Sequence, residues 1–546
     1  MLGRLLILAA ALVVLGIGLD RAKIAETVSD PVGGFRSQDE SLFANSAIAM
    51  TLRGDWMTPK FLGRIYLFKP PLQFWLSATS MKLLGISLIA LRLPILITGA
   101  LGVLLLYDWG RRSGSAWAGV VVALLLLSDP MWQIFSRIYY TDMLVTVFIA
   151  AALYFVARDS RLEKRSSMVG FAIATAAAIM TKSIGGALPI LVLLLFTVLI
   201  RRENRPGWIR VVQTCLLTGL LAAPWHLYQH LVHRQWFWAD YVQTQMLGYG
   251  THPPFQLTSE IPLVFYAKRL FLVDPVLSIL ALIAVPALIL ALRRRDAVLP
   301  VLLSAWLLVV CLSLSSFQAR GNFRWVLFLL PPLCLLAAGF GPLASGSRQT
   351  WLAGVLCVVF AVKAFAGSQV WGLSFGAAPP MPATSLLRAY ADRGRPNPLV
   401  LVEADDELYS ATLPLPEIHY VWIDPSGGVQ RLAPQYVYLG ITVTAQQFEE
   451  IGRWEPQFRD RLREWGLDSS EPIATSVVAD SDADVAKIVA AHPEADFYLP
   501  ARFRPALEGA ATHELVVASD QRFFLLARQK PERPVSRVRF TLPSNW

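Results

Sequence analysis

A series of apolar runs, each close to the length of a bilayer crossing and separated by short charged connectors, fills the first two-thirds of this chain and limits what it can fold into. The runs lie near Leu5–Leu19, Leu91–Trp109, Ala116–Ser128, Met143–Ala157, Met168–Met180 and Gly186–Ile200. Others follow near Val211–Trp225, Pro275–Leu292, Ala297–Ser315, Trp325–Phe340 and Thr350–Ala366. Backbone in lipid must satisfy its own hydrogen bonds, so runs of this kind predict helices. The expected fold is a polytopic α-helical membrane protein with about eleven transmembrane helices. The first run resembles a secretory leader, but no A-x-A site follows it, so it is expected to remain as a helix.

Charge divides the chain in the same place. Up to Ser374 there are 32 basic and 16 acidic residues, a net +16; beyond it there are 17 and 23, a net −6. Charged residues make up only 16% of the chain and hydrophobic ones 55%, which excludes disorder. The positive charge sits between spans, so it argues for a membrane rather than for nucleic acid. Arg111 and Arg112, then Arg158, Arg161, Lys164 and Arg165, then Arg201, Arg202, Arg205 and Arg210 mark successive connectors; Arg293 to Arg295 and Arg348 mark the last two. All fall on one side if the first residue is inside, and the positive-inside rule makes that side cytoplasmic. Residues 20–90, 226–274 and everything after Gly367 are then outside. The expected location is a bacterial inner membrane.

Two domains are expected, residues 1–374 as the multi-span unit and 375–546 as a periplasmic soluble domain. Pro379, Pro380 and Pro382 mark the linker. All four cysteines lie in predicted spans, so the outer domain has to fold on its apolar core. Its strand-like runs LVLVEA, IHYVWI and YVYLGIT, and the hairpin-like pair ELVVAS–DQ–RFFLLAR, alternate with two helices near Thr444–Trp465 and Asp482–Ala491. An α/β or α+β domain fits that order.

Nucleotide-binding glycine loops, C-x-x-C and H-E-x-x-H are all missing from the sequence. The informative stretch is the first outside loop. It holds two amphipathic segments, Ser41–Leu52 and Leu72–Leu84, of the kind that lie flat on a membrane. Ahead of the first stands Gln38-Asp39-Glu40, and between them runs GDWMTPKFLGRIYLFKPPLQFW. This order of acidic pair, helix, GDW-x-TP and KPPLQ-x-W resembles the lipid-linked sugar transferases of the GT-C type. Among these it is most similar to the lipid A aminoarabinose transferases and their protein O-mannosyltransferase relatives. The resemblance covers about residues 35 to 340.

That resemblance implies a multi-span fold, a polyprenyl-phosphate-sugar donor, an active site on the outer face and inversion at the anomeric carbon. The acceptor would be a lipid, a glycan or a protein, with membrane lipids as further partners. A divalent metal ion is an open expectation, because dependence on it varies among such enzymes. The family pattern usually has a glutamate before the KPP lysine; here Phe68 stands there.

The chemistry suits the loop on its own terms. Sugar transfer from a lipid phosphate needs a base for the acceptor and cations for the departing phosphate. Asp39 is the candidate base, with Glu40 assisting; the structural alternative is a helix cap. Lys69 is aimed by Pro70-Pro71 and suits a phosphate, or else snorkels at the interface. Asp142, in a Thr-Asp-Met that matches the family, is a candidate for sugar or metal binding. Lys182, Arg320 and Arg324 are candidate ligands for the lipid phosphate, the arginines alternatively binding headgroups without selectivity. His226, His230 and His233 are spaced to share one helix face, so His226 and His230 are candidate metal ligands. Their neighbours Trp225, Trp236, Phe237, Trp238 and Tyr241 equally suit an interfacial aromatic belt. The competing function is a transporter or lipid flippase, which predicts ionisable residues at mid-membrane and broken helices in matching halves. A glycan polymerase or ligase is chemically closer.

Overall fold

The computed structural model describes residues 2–19, 38–61, 64–85, 88–248, 261–316, 323–340, 358–360 and 362–363. In the C-terminal part it describes the strands and the one helix named below. The chain divides into two compact units: Met1–Ala22 with Leu67–Leu83 and Ile89–Phe375, and Lys23–Tyr66 with Leu84–Leu88 and Gly376–Trp546.

The first unit is helical. Its elements are α1 (Leu2–Gly16), α3 (Leu72–Leu84), α4 (Leu88–Ser113), α5 (Ala116–Ser128), α6 (Pro130–Phe135), α7 (Thr141–Arg158), α8 (Arg165–Lys182), α9 (Leu188–Leu199) and α10 (Trp208–Trp236). Then come α11 (Pro262–Val273), α12 (Pro275–Arg294), α13 (Val298–Ser316) and α14 (Leu330–Phe340). Among the described residues, four stretches are long and apolar enough to cross a membrane: Ile89–Ser113, Thr141–Arg158, Arg165–Leu199 and Val298–Ser315. Shorter apolar helices include Leu2–Gly16 and Ala116–Ser128. Exposed leucines and valines along α1, α10 and α12 are what lipid-facing surfaces require, since water does not have to be excluded from them.

Local chemistry sets the breaks. The Ser115 hydroxyl caps α5, accepting from the Ala118 amide at 3.3 Å. Asp129 ends α5 and starts α6 at once: its Oδ1 accepts from the Trp132 amide at 2.8 Å, and Pro130 follows at the first helical position. Close helix approach needs small residues. A Cβ on Gly102 would stand 2.6 Å from Val147 and 2.8 Å from Trp132, so only glycine lets α4 reach α6 and α7 there.

Several helix bounds differ from the hydropathy pattern. The run ending at Trp225 continues as helix to Trp236, kinks at Arg234 and passes into a π-helix over Phe237–Gly248. The segment read as a plain outside connector also contains α11. The extension of α10 carries His, Gln and Arg, which lower its hydropathy, and α11 is apolar but only 12 residues long, so neither shows in a window of span length. The run Trp325–Phe340 is a 3-10 turn (Phe323–Leu329) leading into α14, whose Pro331 and Pro332 are tolerated only near a helix start. Most of Thr350–Ala366 lies outside the described residues.

The second unit holds α2 (Gln38–Arg53), a short antiparallel pair β1 (Lys60–Phe61) and β2 (Arg64–Ile65), and two sheets from the C-terminal part. One sheet has the order β10-β11-β9-β3-β8-β4. Its strands are β3 (Leu399–Val402), β4 (Tyr420–Val421), β8 (Ala474–Val477), β9 (Asp496–Pro500), β10 (His513–Val517) and β11 (Phe523–Arg528). β3 runs parallel to β8 and β9, while β10 and β11 form an antiparallel pair with a bulge between Leu515 and Val517. The other sheet is β5 (Gln430–Leu432), β6 (Gln435–Tyr438) and β7 (Ile441–Val443). α15 spans Asp482–Ala491. The helix expected at 444–465 lies outside the described residues.

Candidate active site

Asp142 stands in the first turn of α7, where the helix dipole favours a carboxylate. It is 1% exposed, and its Oδ1 pairs with Lys182 Nζ at 2.5 Å. Its Oδ2 is buried and accepts no hydrogen bond among the described residues. Lys182 arrives at the last residue of α8, just before Ser183 takes a positive φ of 50° and the chain tightens into a 3-10 turn over Ser183–Ala187. Only a glycine at 186 allows that turn, because a Cβ there would collide with the Ala178 backbone. Strain of this sort persists only where packing enforces it, and here it directs a lysine onto a buried acid.

Two more cation-bearing segments join the same place. The Lys182 ammonium lies 5.3 Å from the centre of the Phe328 ring, in the turn that also carries Arg324. Arg324 in turn lies over Tyr140, two residues from Asp142, at 5.2 Å. The hydroxyl of the preceding Tyr139 donates to the Gln73 carbonyl at 3.2 Å, which ties the start of α7 to the first turn of α3. Lys69, just ahead of α3, donates to Gln245 Oε1 in the π-helix at 2.7 Å. Residues 140–142, 182 and 324, far apart in the chain, therefore form one linked constellation, and Lys69 lies just ahead of the α3 turn that Tyr139 ties to it.

The expectations for single residues resolve differently. Lys182 is not a lone solvated lysine; it is half of a buried ion pair. Asp39 sits inside the first turn of α2, so it occupies a dipole position rather than the cap before the helix. Glu40 beside it is fully buried. Both belong to the second unit. Arg320 lies outside the described residues.

His226, His230 and His233 are all on α10, as their spacing predicts. His226 Nδ1 donates to the Ala222 carbonyl at 2.8 Å, and its Nε2 accepts from the Tyr241 hydroxyl at 2.6 Å. Burial pushes the Tyr241 phenol well above its usual range, which keeps it a neutral donor. His230 Nδ1 accepts from the Trp238 indole at 3.1 Å. Both rings therefore tether an aromatic cluster that includes stacked Phe237 and Tyr241, with ring centres 5.1 Å apart. Among the described residues no three His, Cys, Asp or Glu side chains gather to hold a metal. The donor set around His226 and His230 does not fit one, because both His226 ring nitrogens and His230 Nδ1 are engaged by Ala222, Tyr241 and Trp238.

Buried arginines carry no hydropathy signal of their own, and two of them matter. Arg137 donates to the carbonyls of Val14 (2.6 Å), Ile17 (3.1 Å) and Gln133 (3.0 Å), and Arg92 donates to Leu19 O at 3.0 Å. Together they satisfy the open carbonyls at the end of α1, where the chain leaves for the Asp39 loop. A second buried acid pair, Asp129 and Asp274, caps the starts of α6 and α12, and Lys363 pairs with Asp274.

Residues 68–250 match the family described as dolichyl-phosphate-mannose-protein mannosyltransferase. An undecaprenyl phosphate-alpha-4-amino-4-deoxy-L-arabinose arabinosyl transferase of Aeromonas salmonicida is 28% identical over 222 residues, 38% of this chain and 40% of that protein. An uncharacterized protein of Aquifex aeolicus is 29% identical over 200 residues, 36% and 40% of the two chains. The chain thus matches about two-fifths of the length of these curated relatives. In fold the likeness extends much further. The crystal structure of ArnT from Cupriavidus metallidurans in the apo state has a TM-score of 0.65 at 18% identity, covering 96% of this chain and 97% of that one. The same protein bound to undecaprenyl phosphate scores 0.64. Archaeal oligosaccharyltransferase AglB from Archaeoglobus fulgidus, in complex with an inhibitory peptide and a dolichol-phosphate, scores 0.51 at 11% identity over 75% of this chain and 63% of its own. The chain has the membrane GT-C fold and resembles the aminoarabinose transferases.

Proposed function

We propose that this GT-C-fold chain is a membrane glycosyltransferase that takes a sugar from a polyprenyl-phosphate donor and delivers it to an acceptor at the outer face of the membrane. The observation that carries this reading is the convergence of Lys182 and Arg324 on Tyr140–Asp142, with Lys69 joined to it through α3 and Tyr139. Lys69 and Arg324, drawn from separate segments, suit a dianionic leaving group. The likeness to a protein seen with undecaprenyl phosphate supports the donor class.

In this mechanism the acceptor oxygen attacks the anomeric carbon as the carbon–oxygen bond to phosphate breaks. The displaced polyprenyl phosphate keeps the electron pair, and one in-line displacement inverts the centre. Asp39 takes the acceptor proton, an assignment that rests on its place ahead of the GDW and KPPLQ motifs. Lys69 and Arg324 hold the phosphate. Lys182 is already half-neutralised by Asp142, so it serves chiefly to orient that acid, whose open Oδ2 can accept from a sugar hydroxyl. The N-terminus is assigned to the cytoplasm and the C-terminal unit to the periplasm. Pairing of the basic connectors supports them sharing a side: the Arg201 amide donates to the Arg295 carbonyl at 3.0 Å.

The test is transfer from radiolabelled polyprenyl-phosphate sugars in membranes holding equal amounts of wild-type or Asp39→Asn protein. Wild type is expected to move label to an acceptor, and loss of the base should lower that rate by roughly 10²–10⁴-fold. Wild-type silence across a broad donor panel would sink the transferase reading; equal rates would sink the base assignment alone.

A further inference from the structure

α7 runs about 24 Å from Asp142 to its other end at 1.5 Å per residue, and a second ionic cluster is assembled there. Asp108, near the end of α4, accepts at Oδ1 from Arg4 Nε (3.1 Å), Arg4 Nη2 (2.5 Å) and Arg111 Nη2 (3.1 Å). At Oδ2 it accepts from Arg112 Nε (2.7 Å) and the Tyr154 hydroxyl (2.6 Å). Arg158 lies over the Tyr154 ring at 5.7 Å. Three guanidinium groups thus share one carboxylate, with a fourth on the tyrosine that donates to it, and the cluster keeps a surplus of positive charge. Asp108 is saturated and keeps 13% of its side chain exposed, whereas Arg4, Arg111 and Arg112 are 45%, 39% and 44% exposed. None of these bonds uses Nη1 of Arg4 or the two terminal nitrogens of Arg112.

The position of the surplus is fixed. Gly119 lets α5 approach the Tyr107 carbonyl and Arg111 so closely that a Cβ there would stand 2.6 Å from the former and 2.9 Å from the latter's Cβ. Asp108 splays the arginines around a rigid centre instead of leaving them to wander. Apolar side chains adjoin them: Leu2, Leu5 and Leu6 on the same turns as Arg4 are among the most exposed leucines of α1. Trp117, at the start of α5, is also exposed. A ligand matching both halves has a phosphate bearing negative charge and long hydrocarbon chains beside it.

We propose that Arg4, Arg111 and Arg112, held apart by Asp108, bind the phosphate of an anionic phospholipid in the adjoining leaflet. Guanidinium forks suit phosphate oxygens, and the exposed leucines of α1 suit the acyl chains. The site is remote from the proposed transfer chemistry and does not depend on it.

The full-length protein would be placed in nanodiscs of phosphatidylcholine with increasing phosphatidylglycerol, and the retained lipid identified by mass spectrometry after mild detergent extraction. Wild type is expected to retain phosphatidylglycerol well above its share in the disc, and to melt at a higher temperature as that share rises. Arg4→Gln with Arg112→Gln should lower the enrichment by roughly thirtyfold, as loss of two interfacial cations implies. Arg4→Lys with Arg112→Lys should keep part of it, and serves if the glutamine variant does not insert. No enrichment in wild type, or equal enrichment in wild type and an inserted glutamine variant, would overturn the proposal. Inorganic phosphate is the remaining arm. If it stabilises wild type in pure phosphatidylcholine as well as phosphatidylglycerol does, the site takes free phosphate and the lipid assignment fails.

Discussion

Two aspartates at opposite ends of the helical unit, Asp142 and Asp108, have contrasting surroundings. Asp142 is buried, has one cationic partner and keeps an oxygen that accepts no hydrogen bond among the described residues. Asp108 reaches the surface and has more donors than it needs. Buried polar atoms are costly to leave unmatched, so a carboxylate kept in the first condition is the one suited to act on a ligand. A saturated carboxylate at the surface is suited to organise its neighbours. In the proposed function the same residue type serves chemistry at one end and scaffolding at the other, and the difference lies in how many donors each helix end supplies.

The contrast can be broken most severely at Lys182. Lys182→Ala strands a buried carboxylate and is expected to cost about 3–5 kcal/mol, read as a lowered melting temperature in detergent. Lys182→Met combined with Asp142→Leu removes both charges, and should restore most of that stability while leaving transfer lost. A double variant as unstable as the single would mean that packing, not charge, explains the loss. Arg324→Ala should reduce transfer by roughly 10²–10³-fold if the guanidinium stabilises the departing phosphate, with little change in melting temperature. At the other end Asp108→Asn should cost no more than about 1 kcal/mol, because its partners are exposed and screened. That small effect should shrink further in high salt. A large, salt-independent loss there would erase the distinction between the two acids.

Much of this was legible in the sequence. KPPLQFW marked Lys69, Thr-Asp-Met marked Asp142, and the histidine spacing predicted a shared helix, because each is a local pattern. The destination of the histidines was not legible: metal and aromatic belt need the same residues, and only the Tyr241 and Trp238 hydrogen bonds separate them. Arg92 and Arg137 are illegible for a related reason, since an arginine that closes the end of α1 looks in sequence like any charge beside an apolar run.

Hydropathy alone determined a membrane-embedded helical chain, because burial in lipid acts on composition over short windows, and charge adds the expectation that the basic connectors share one side. They also determined where cations and acids near the helix ends would be. Which of them meet was decided only in three dimensions. Lys182 and Asp142 stand 40 positions apart and Arg4 and Asp108 104 apart, and no window of sequence spans such pairs. Their encounters depend on which helix ends pack side by side, and that follows from the fit of glycines, aromatic rings and buried caps across the whole unit.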